Sequence, residues 1–153
     1  MYYQPNRDWF HPAEFFPRSA AIHFGNNQIW RFIDFRILWT AEALRKRFGV
    51  MYLNNWIWGG HNQYRVYRPI MELFELNKTK ENKFSLASQH CFGRAVDCTF
   101  KNVSVDEVRE DIRKNQHFAE YIYITRVEEK VNWLHFDCGS WNKDKYGILF
   151  FDP

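Results

Sequence analysis

The chain has 153 residues, of which 46% are hydrophobic and 25% charged, a size and composition that fit one globular domain. The formal net charge is only +3, and Lys and Arg are interspersed with Asp and Glu, which argues against a nucleic-acid-binding protein because such proteins cluster their basic residues on one face. No apolar run approaches the ~18 residues of a membrane span, and the N-terminus lacks the basic and apolar regions of a Sec signal peptide.

The first half of the chain predicts two helices and one strand. The segment "FHPAEFF" is typical of a short helix with Pro12 in its first turn, where a missing N–H costs nothing. From Ile29 to Phe48 apolar residues recur at helical spacing, and Gly49 follows as a stop signal. The apolar stripe consists of Ile33, Ile37, Ala41, Leu44 and Phe48. The segment "VMYLNNWIW" then predicts a strand that leads into a turn at Gly59 and Gly60.

The second half predicts most of a sheet and one further helix. Residues 61–89 are polar and irregular apart from the apolar stretch "IMELFEL". Strands are predicted in "RAVDCTF" and "YGILFF", together with a hairpin that joins "YIYITRV" to "VNWLHFD". The segment "SVDEVREDIRKN" has a capping box, Ser104 with Glu107, and predicts a helix. We therefore expect an α+β fold with a small central, mostly antiparallel sheet and flanking helices.

No repeat, low-complexity tract or linker divides the chain, so we expect a single domain over residues 1–153, with residues 1–28 as an aromatic-rich extension packed on it. Cys91, Cys98 and Cys138 include no C-x-x-C pair, which predicts reduced, buried thiols. Aromatic residues make up 20% of the chain and predict either a ring-rich core or surfaces that stack on sugars or bases.

Two predicted strands carry a candidate metal site. On the first, Gly93, Ala95 and Asp97 share one face, and the small residues leave room for something that both His90 and Asp97 reach. On the second, Trp133, His135 and Asp137 share a face, while Leu134 and Phe136 point into the core. Two imidazoles and a carboxylate around an open position match a catalytic zinc site. The alternative for each histidine alone is a hydrogen-bonded structural residue.

These residues also carry a family resemblance. The motif Ser88-x-His90-x-x-Gly93-x-Ala95-x-Asp97, followed by Trp133-x-His135, resembles the signature of the zinc D-Ala-D-Ala carboxypeptidases, a family that includes phage L-Ala-D-Glu endopeptidases and shares its fold with the hedgehog signalling domain. The segments "FHPAEFF", "NNWIWGG", "WLHFDCG" and "ILFFDP" are similar to a phage-encoded branch. The resemblance implies that His90, Asp97 and His135 bind Zn²⁺ within a small, hedgehog-like α+β domain.

The sequence departs from the family at the general base. Family carboxypeptidases often have Glu or Asp three residues before the second histidine, where this chain has Asn132, which cannot take a proton from water. The remaining candidates are Glu128, Glu129 and Asp137. We favour Glu128, because it ends the strand beside His135 and the phage branch has an acidic residue in a similar R-x-E setting. The alternatives are that Glu128 and Glu129 are solvated turn residues and that Asp137 orients a metal ligand.

An arginine completes the predicted site. The resemblance implies one between the Gly-Gly turn and the first motif, where it anchors a substrate carboxylate or carbonyl. Arg65 and Arg68 lie in that interval, and Arg68 is the first choice, since a guanidinium binds such groups through a bidentate fork. Ser88 is expected to fix the loop or support a ligand by hydrogen bonding rather than act as a nucleophile.

The function expected from this set is a zinc-dependent peptidase that hydrolyses cross-links or stem peptides of bacterial peptidoglycan. Such a protein would be made in the bacterial cytoplasm without a signal peptide and act at the wall after lysis, as an endolysin, or within a phage particle among virion proteins. The alternative is a catalytically inactive structural or wall-binding virion protein that keeps the fold, with or without the metal. A third class, single-stranded nucleic-acid binding, requires a basic groove interleaved with rings, and the sequence has no such patch.

Overall fold

The computed structural model describes residues 9–79 and 84–153 and has a five-stranded mixed sheet at its centre. The strands are β1 (Met51–Tyr52), β2 (Ala95–Phe100), β3 (Arg126–Glu128), β4 (Leu134–Asp137) and β5 (Leu149–Phe151). Their order is β1-β2-β4-β3-β5, and every pairing is antiparallel except the parallel pair β3–β5. The prediction of a mixed helix-and-strand domain with a mostly antiparallel sheet is therefore confirmed.

Six α-helices flank the sheet within the described residues. They are α1 (Pro12–Phe15), α2 (Arg18–Gln28), α3 (Phe35–Phe48), α4 (Ile70–Asn77), α5 (Val105–Lys114) and α6 (Lys143–Tyr146). The sequence predicted α1, α3 and α5, and the capping box of Ser104 and Glu107 is present in the structure. It did not predict α2, α4 or α6. None of the helices in the described segments is long and apolar enough to cross a bilayer.

The predicted helix from Ile29 to Phe48 is interrupted. A 3-10 helix covers Ile29–Phe32, the chain is extended at Ile33 and Asp34, and α3 begins only at Phe35. The reason is local, because the Asp34 side chain accepts a hydrogen bond from the Arg36 backbone N–H at 3.0 Å and caps a new helix. The buried face of α3 still follows the predicted stripe.

The predicted strand in "VMYLNNWIW" is mostly replaced by turns. Only Met51–Tyr52 pairs with β2, and Trp56–Trp58 forms a 3-10 helix. The cause is two asparagines whose side-chain oxygens accept backbone hydrogen bonds, Asn54 from Arg65 at 2.9 Å and Asn55 from Asn62 at 2.9 Å. These bonds bring the segment that contains Arg68 back alongside β2.

One buried cluster joins the sheet, the helices and the N-terminal segment. It includes Phe10, Phe15, Phe16, Ile37, Leu38, Leu44, Val96, Val108, Ile112, Leu134 and Phe136. The described part of the N-terminal extension therefore contributes side chains to the same core, while residues 1–8 lie outside the described residues. Cys91, Cys98 and Cys138 are buried free thiols, as predicted.

Candidate metal centre

His90 is held by its backbone and by one ring nitrogen. It lies in the 3-10 helix Gln89–Phe92, whose N-cap is Ser88, with the Ser88 side chain accepting from the His90 backbone N–H at 3.4 Å. The ring is buried, and its Nδ1 donates to the Val66 carbonyl at 2.8 Å. Nε2 is thereby directed at Asp97, 3.3 Å away. Ser88 fixes the loop, as the sequence predicted.

Asp97 and His135 face each other across two antiparallel strands. Their Cα atoms are register partners on β2 and β4, and His135 Nδ1 lies 2.7 Å from Asp97 Oδ1. The alternation predicted for β4 is present, with Leu134 and Phe136 in the core and His135 on the opposite face. One possible ligand atom from each of His90, Asp97 and His135 lies within 4.8 Å of the other two, and all three residues are buried.

This group could hold a metal ion. Two ligand atoms of a tetrahedral site with bonds of 2.0–2.1 Å lie about 3.3 Å apart, which is the distance from His90 Nε2 to Asp97 Oδ2. His135 Nδ1 and Asp97 Oδ1 are closer, at 2.7 Å, and would move apart around an ion. His90 also has the bond expected of a ligating histidine, because its second ring nitrogen donates to a carbonyl and fixes the orientation of the first.

Without a metal ion, the same atoms form a hydrogen-bonded charge cluster. Burial lowers the pKa of His90 and so favours its neutral, ligating form. Burial also acts to lower the pKa of His135, but hydrogen bonds to Asp137 and Asp97 outweigh it and raise the pKa to about 9. Burial acts to raise the pKa of Asp97, yet the neighbouring histidines hold it well below its usual range. A metal ion must therefore displace a proton from His135.

Asp137 lies behind His135 and is fully buried. Its carboxylate accepts from Arg126 Nε and Nη2 at 2.8–3.0 Å and from the Gly139 backbone N–H at 2.9 Å. His135 Nε2 is 3.3 Å from Asp137 Oδ2. Desolvation acts to raise the pKa of Asp137, but the bonds from His135 and Arg126 keep it low. This geometry favours the orienting role over that of a general base.

An open cleft of about 280 Å³ adjoins His135. It is lined by Ser85, Ala87, Ser88, Gln89, Arg126, Glu128, His135, Asp137 and Phe151. Glu128 is the register partner of His135 on β3 and is half-buried. No hydrogen bond or ion pair reaches its carboxylate from residues 9–79 or 84–153. The structure thus brings Glu128 to the cleft beside His135, with no hydrogen bond or ion pair to its carboxylate from the described residues.

The other candidates for the base lie elsewhere. Glu129 forms an ion pair with Arg113 and does not line the cleft. Asn132 is exposed in the turn between β3 and β4.

Arg68 is placed at the metal-ligand group rather than in the cleft wall. Its Nη2 lies 2.7 Å from Asp97 Oδ2, and its Nε donates to the Tyr64 carbonyl at 2.6 Å. Glu128 is close enough for the two charges to interact. In this arrangement the Arg68 guanidinium is paired with Asp97. The expectation that Arg68 binds a substrate carboxylate or carbonyl therefore stays a prediction. Arg65 contributes its backbone carbonyl, which accepts from the Asp97 N–H at 2.7 Å.

The predicted role of Gly93 is wrong. Gly93 does not clear space on the strand face, since β2 begins at Ala95 and Gly93 ends the preceding 3-10 helix with a φ of 65°. A Cβ there would lie 1.9 Å from the Phe32 carbonyl oxygen. Glycine is needed for a left-handed turn and a close backbone approach.

Arg126 and Ser85, which line the cleft, were missed in the sequence analysis. The spacing of Arg126 and Glu128 was a usable signal, because residues two apart on a strand share a face. The contact of Val66 with His90 left no signal in the sequence.

Comparison of the chain with models of known protein families, with curated proteins and with solved structures finds no match.

Proposed function

We propose that this protein is a zinc peptidase of the hedgehog-like D-Ala-D-Ala carboxypeptidase family that hydrolyses peptides of bacterial peptidoglycan. The observation that carries the proposal is the buried group of His90, Asp97 and His135 beside a cleft that Glu128 also lines, with no ion pair to the Glu128 carboxylate from residues 9–79 or 84–153. The substrate class follows from the resemblance of the two histidine motifs to that family.

The protein groups divide the chemistry between them. His90 Nε2, Asp97 and His135 Nδ1 would hold Zn²⁺, which lowers the pKa of a bound water from about 15.7 towards ~7 and polarises a carbonyl. Glu128 would accept a proton from the attacking water and return it to the leaving amine.

The cleft walls supply the binding groups for a peptide. The hydroxyls of Ser85 and Ser88 and the amide of Gln89 can hydrogen-bond to peptide groups, and the Phe151 ring closes one side. The Gln89 Oε1 atom is buried and has no hydrogen-bond partner among the described residues, which leaves one acceptor in the cleft wall unsatisfied. Arg68, beside Asp97, would bind a substrate carbonyl or carboxylate.

The test separates metal binding from proton transfer. We expect His90→Ala and His135→Ala to lose both zinc and hydrolysis of purified peptidoglycan. Glu128→Gln should keep zinc and lower the rate by about 10²–10⁴-fold, because only the base is removed. Glu129→Gln is the matched control and should behave as wild type. Wild-type rates in Glu128→Gln or in the histidine variants would refute the proposal.

The non-catalytic alternative is favoured by one observation, the exposed Asn132 where the family often has an acid. A wild-type protein that binds zinc and peptidoglycan but releases no peptide product would support a wall-binding or virion protein instead. Either protein would meet the wall after lysis or as part of a phage particle.

A further inference from the structure

A cavity on the outer face of α3 lies away from His90 and His135. It measures about 610 Å³ and is bounded by helix residues at positions 39, 42, 43, 46 and 47 and by residues 119 and 120. These helix positions share one face at i, i+4 and i+7 spacing. Ala43 and Ala119 supply small side chains, and Trp39 supplies an aromatic wall.

A second cavity of about 240 Å³ lies beyond Trp39, between Tyr123 and Trp141. The Tyr123 ring joins the two cavities, because it contacts Trp39 at 5.4 Å and Phe35 at 5.5 Å between ring centroids. The Trp141 ring is held by a hydrogen bond from Nε1 to the Gly147 carbonyl at 2.8 Å. We call Phe35, Trp39, Tyr123 and Trp141 the aromatic surface. Its rings are exposed or half-buried.

The charges around this surface are balanced and mostly engaged. In the first cavity Glu42 and Glu120 offset Lys46 and Arg47. Arg47 is bound by both oxygens of Asp111 at 2.9 Å, and in the second cavity Arg36 is bound by Asp34 at 2.7–2.9 Å. A site for nucleic acid or another polyanion would leave its cations free.

Ring faces beside polar groups of both signs suit a neutral ligand that has apolar faces and many hydroxyls. We propose that the aromatic surface binds a polysaccharide strand, with sugar C–H faces stacked on Trp39, Tyr123 and Trp141 and hydroxyls bonded to the polar rims. The identification of this strand as the glycan of peptidoglycan rests on the proposed function.

The second cavity, at one end of the aromatic surface, and the cleft are lined by neighbouring residues of the chain. Thr125 lines the second cavity, and the next residue, Arg126, lines the cleft beside Glu128. The second cavity and the cleft are therefore bounded by consecutive residues, and a glycan strand that occupies the second cavity would keep the peptides attached to it near the Arg126 side of the cleft. This site would give the chain its own attachment to the wall.

The experiment measures binding without turnover. Peptide-free glycan strands, prepared by amidase treatment of peptidoglycan, are titrated against wild type, Trp39→Ala and Ala43→Gln. Ala43→Gln fills the first cavity with a good helix former and removes no ring. Trp58→Ala is the matched control, because Trp58 is 64% exposed and lies outside both cavities.

We expect Trp39→Ala and Ala43→Gln to weaken glycan binding about tenfold, with Trp58→Ala unchanged. Wild-type binding should survive an increase in salt from about 50 to 500 mM, since no ion release is involved. Hydrolysis of a soluble stem peptide should be unaffected in all three variants. A wild type that does not bind peptide-free strands, variants that bind as wild type, or equal affinity for single-stranded DNA would each overturn the inference. Absence of hydrolysis would count against the proposed function alone.

Discussion

Three carboxylates lie around His135, and each has a different environment. Asp97 contacts both histidines and Arg68, Asp137 accepts several hydrogen bonds, and the Glu128 carboxylate has no hydrogen bond or ion pair from the part of the chain that the structure describes. All three carboxylates lie on neighbouring strands, and the main difference between them is the set of donors and the burial around each one. Burial with fixed donors suits a positioning group, whereas an unpaired carboxylate at an open cleft suits proton transfer.

A substitution at Asp137 tests this division. Asp137→Asn removes the charge that Arg126 pairs with and weakens the acceptor for His135 Nε2. We expect zinc affinity to fall about 10–100-fold, as for other partners of ligating histidines, while activity at saturating zinc falls much less than in Glu128→Gln. Competition with a chromophoric chelator measures the affinity. Unchanged zinc affinity would mean that Asp137 does not orient His135.

At the scale of elements, helices α3 and α5 are tied by one carboxylate. Asp111 on α5 accepts a bidentate pair from Arg47 on α3 at 2.9 Å and a hydrogen bond from the Tyr121 hydroxyl. Burial acts to raise the pKa of Asp111, but the bonds from Arg47 and Tyr121 hold it below its usual value. A lowered folded-state pKa stabilises the protein above the unfolded pKa of about 3.9, and this stabilisation is lost as the pH falls through the folded value.

We therefore expect Asp111→Asn to lower the free energy of unfolding by about 1 kcal/mol at pH 7. The difference from wild type should begin to shrink below about pH 4, where the carboxylate of the unfolded chain takes up a proton, and should vanish once the folded carboxylate is protonated at lower pH. Urea unfolding at several pH values measures both effects. Glu110→Gln, at an exposed position on the same helix, should change stability little, and a pH-independent loss in Asp111→Asn would contradict the assignment.

At the scale of the whole molecule, the candidate ligands come from distant parts of the chain. His90, Asp97 and His135 lie on a 3-10 helix and two central strands, so their spacing exists only in the folded chain. A ligand that binds only the native state stabilises it in proportion to its concentration relative to Kd.

Zinc at about 100 times its Kd should stabilise the protein by about 2.7 kcal/mol, which corresponds to a rise in Tm of ~5–10 °C at this chain length. Scanning calorimetry with zinc and then with excess EDTA measures the shift. His90→Ala should show none. If neither zinc nor EDTA changes the wild-type Tm, these residues do not form a metal site.

Much of this arrangement was readable from local patterns. Helix α5 with its capping box and the alternation of β4 depend on interactions between near neighbours, and the sequence predicts them. The hairpin was predicted too, but its first strand was predicted too long: β3 covers only Arg126–Glu128, and the start of "YIYITRV" belongs to a 3-10 helix and a turn. The three candidate ligands could also be named, because alternation places Asp97 and His135 on defined strand faces. The split before α3 was missed, although Asp34 is a local cap, because the apolar stripe continues across it.

Other features depend on segments that are far apart in the sequence. The carbonyl that fixes His90 comes from Val66, the acceptor that receives the Asp97 N–H comes from Arg65, and Gly93 is required because Phe32 passes over it. Periodicity reports which face of an element is apolar, but not which distant backbone will approach it. The sequence placed Glu128 beside His135 through the predicted hairpin, whereas the contact of Arg68 with Asp97 became known only from the packed structure, because the path of the returning loop depends on the whole core.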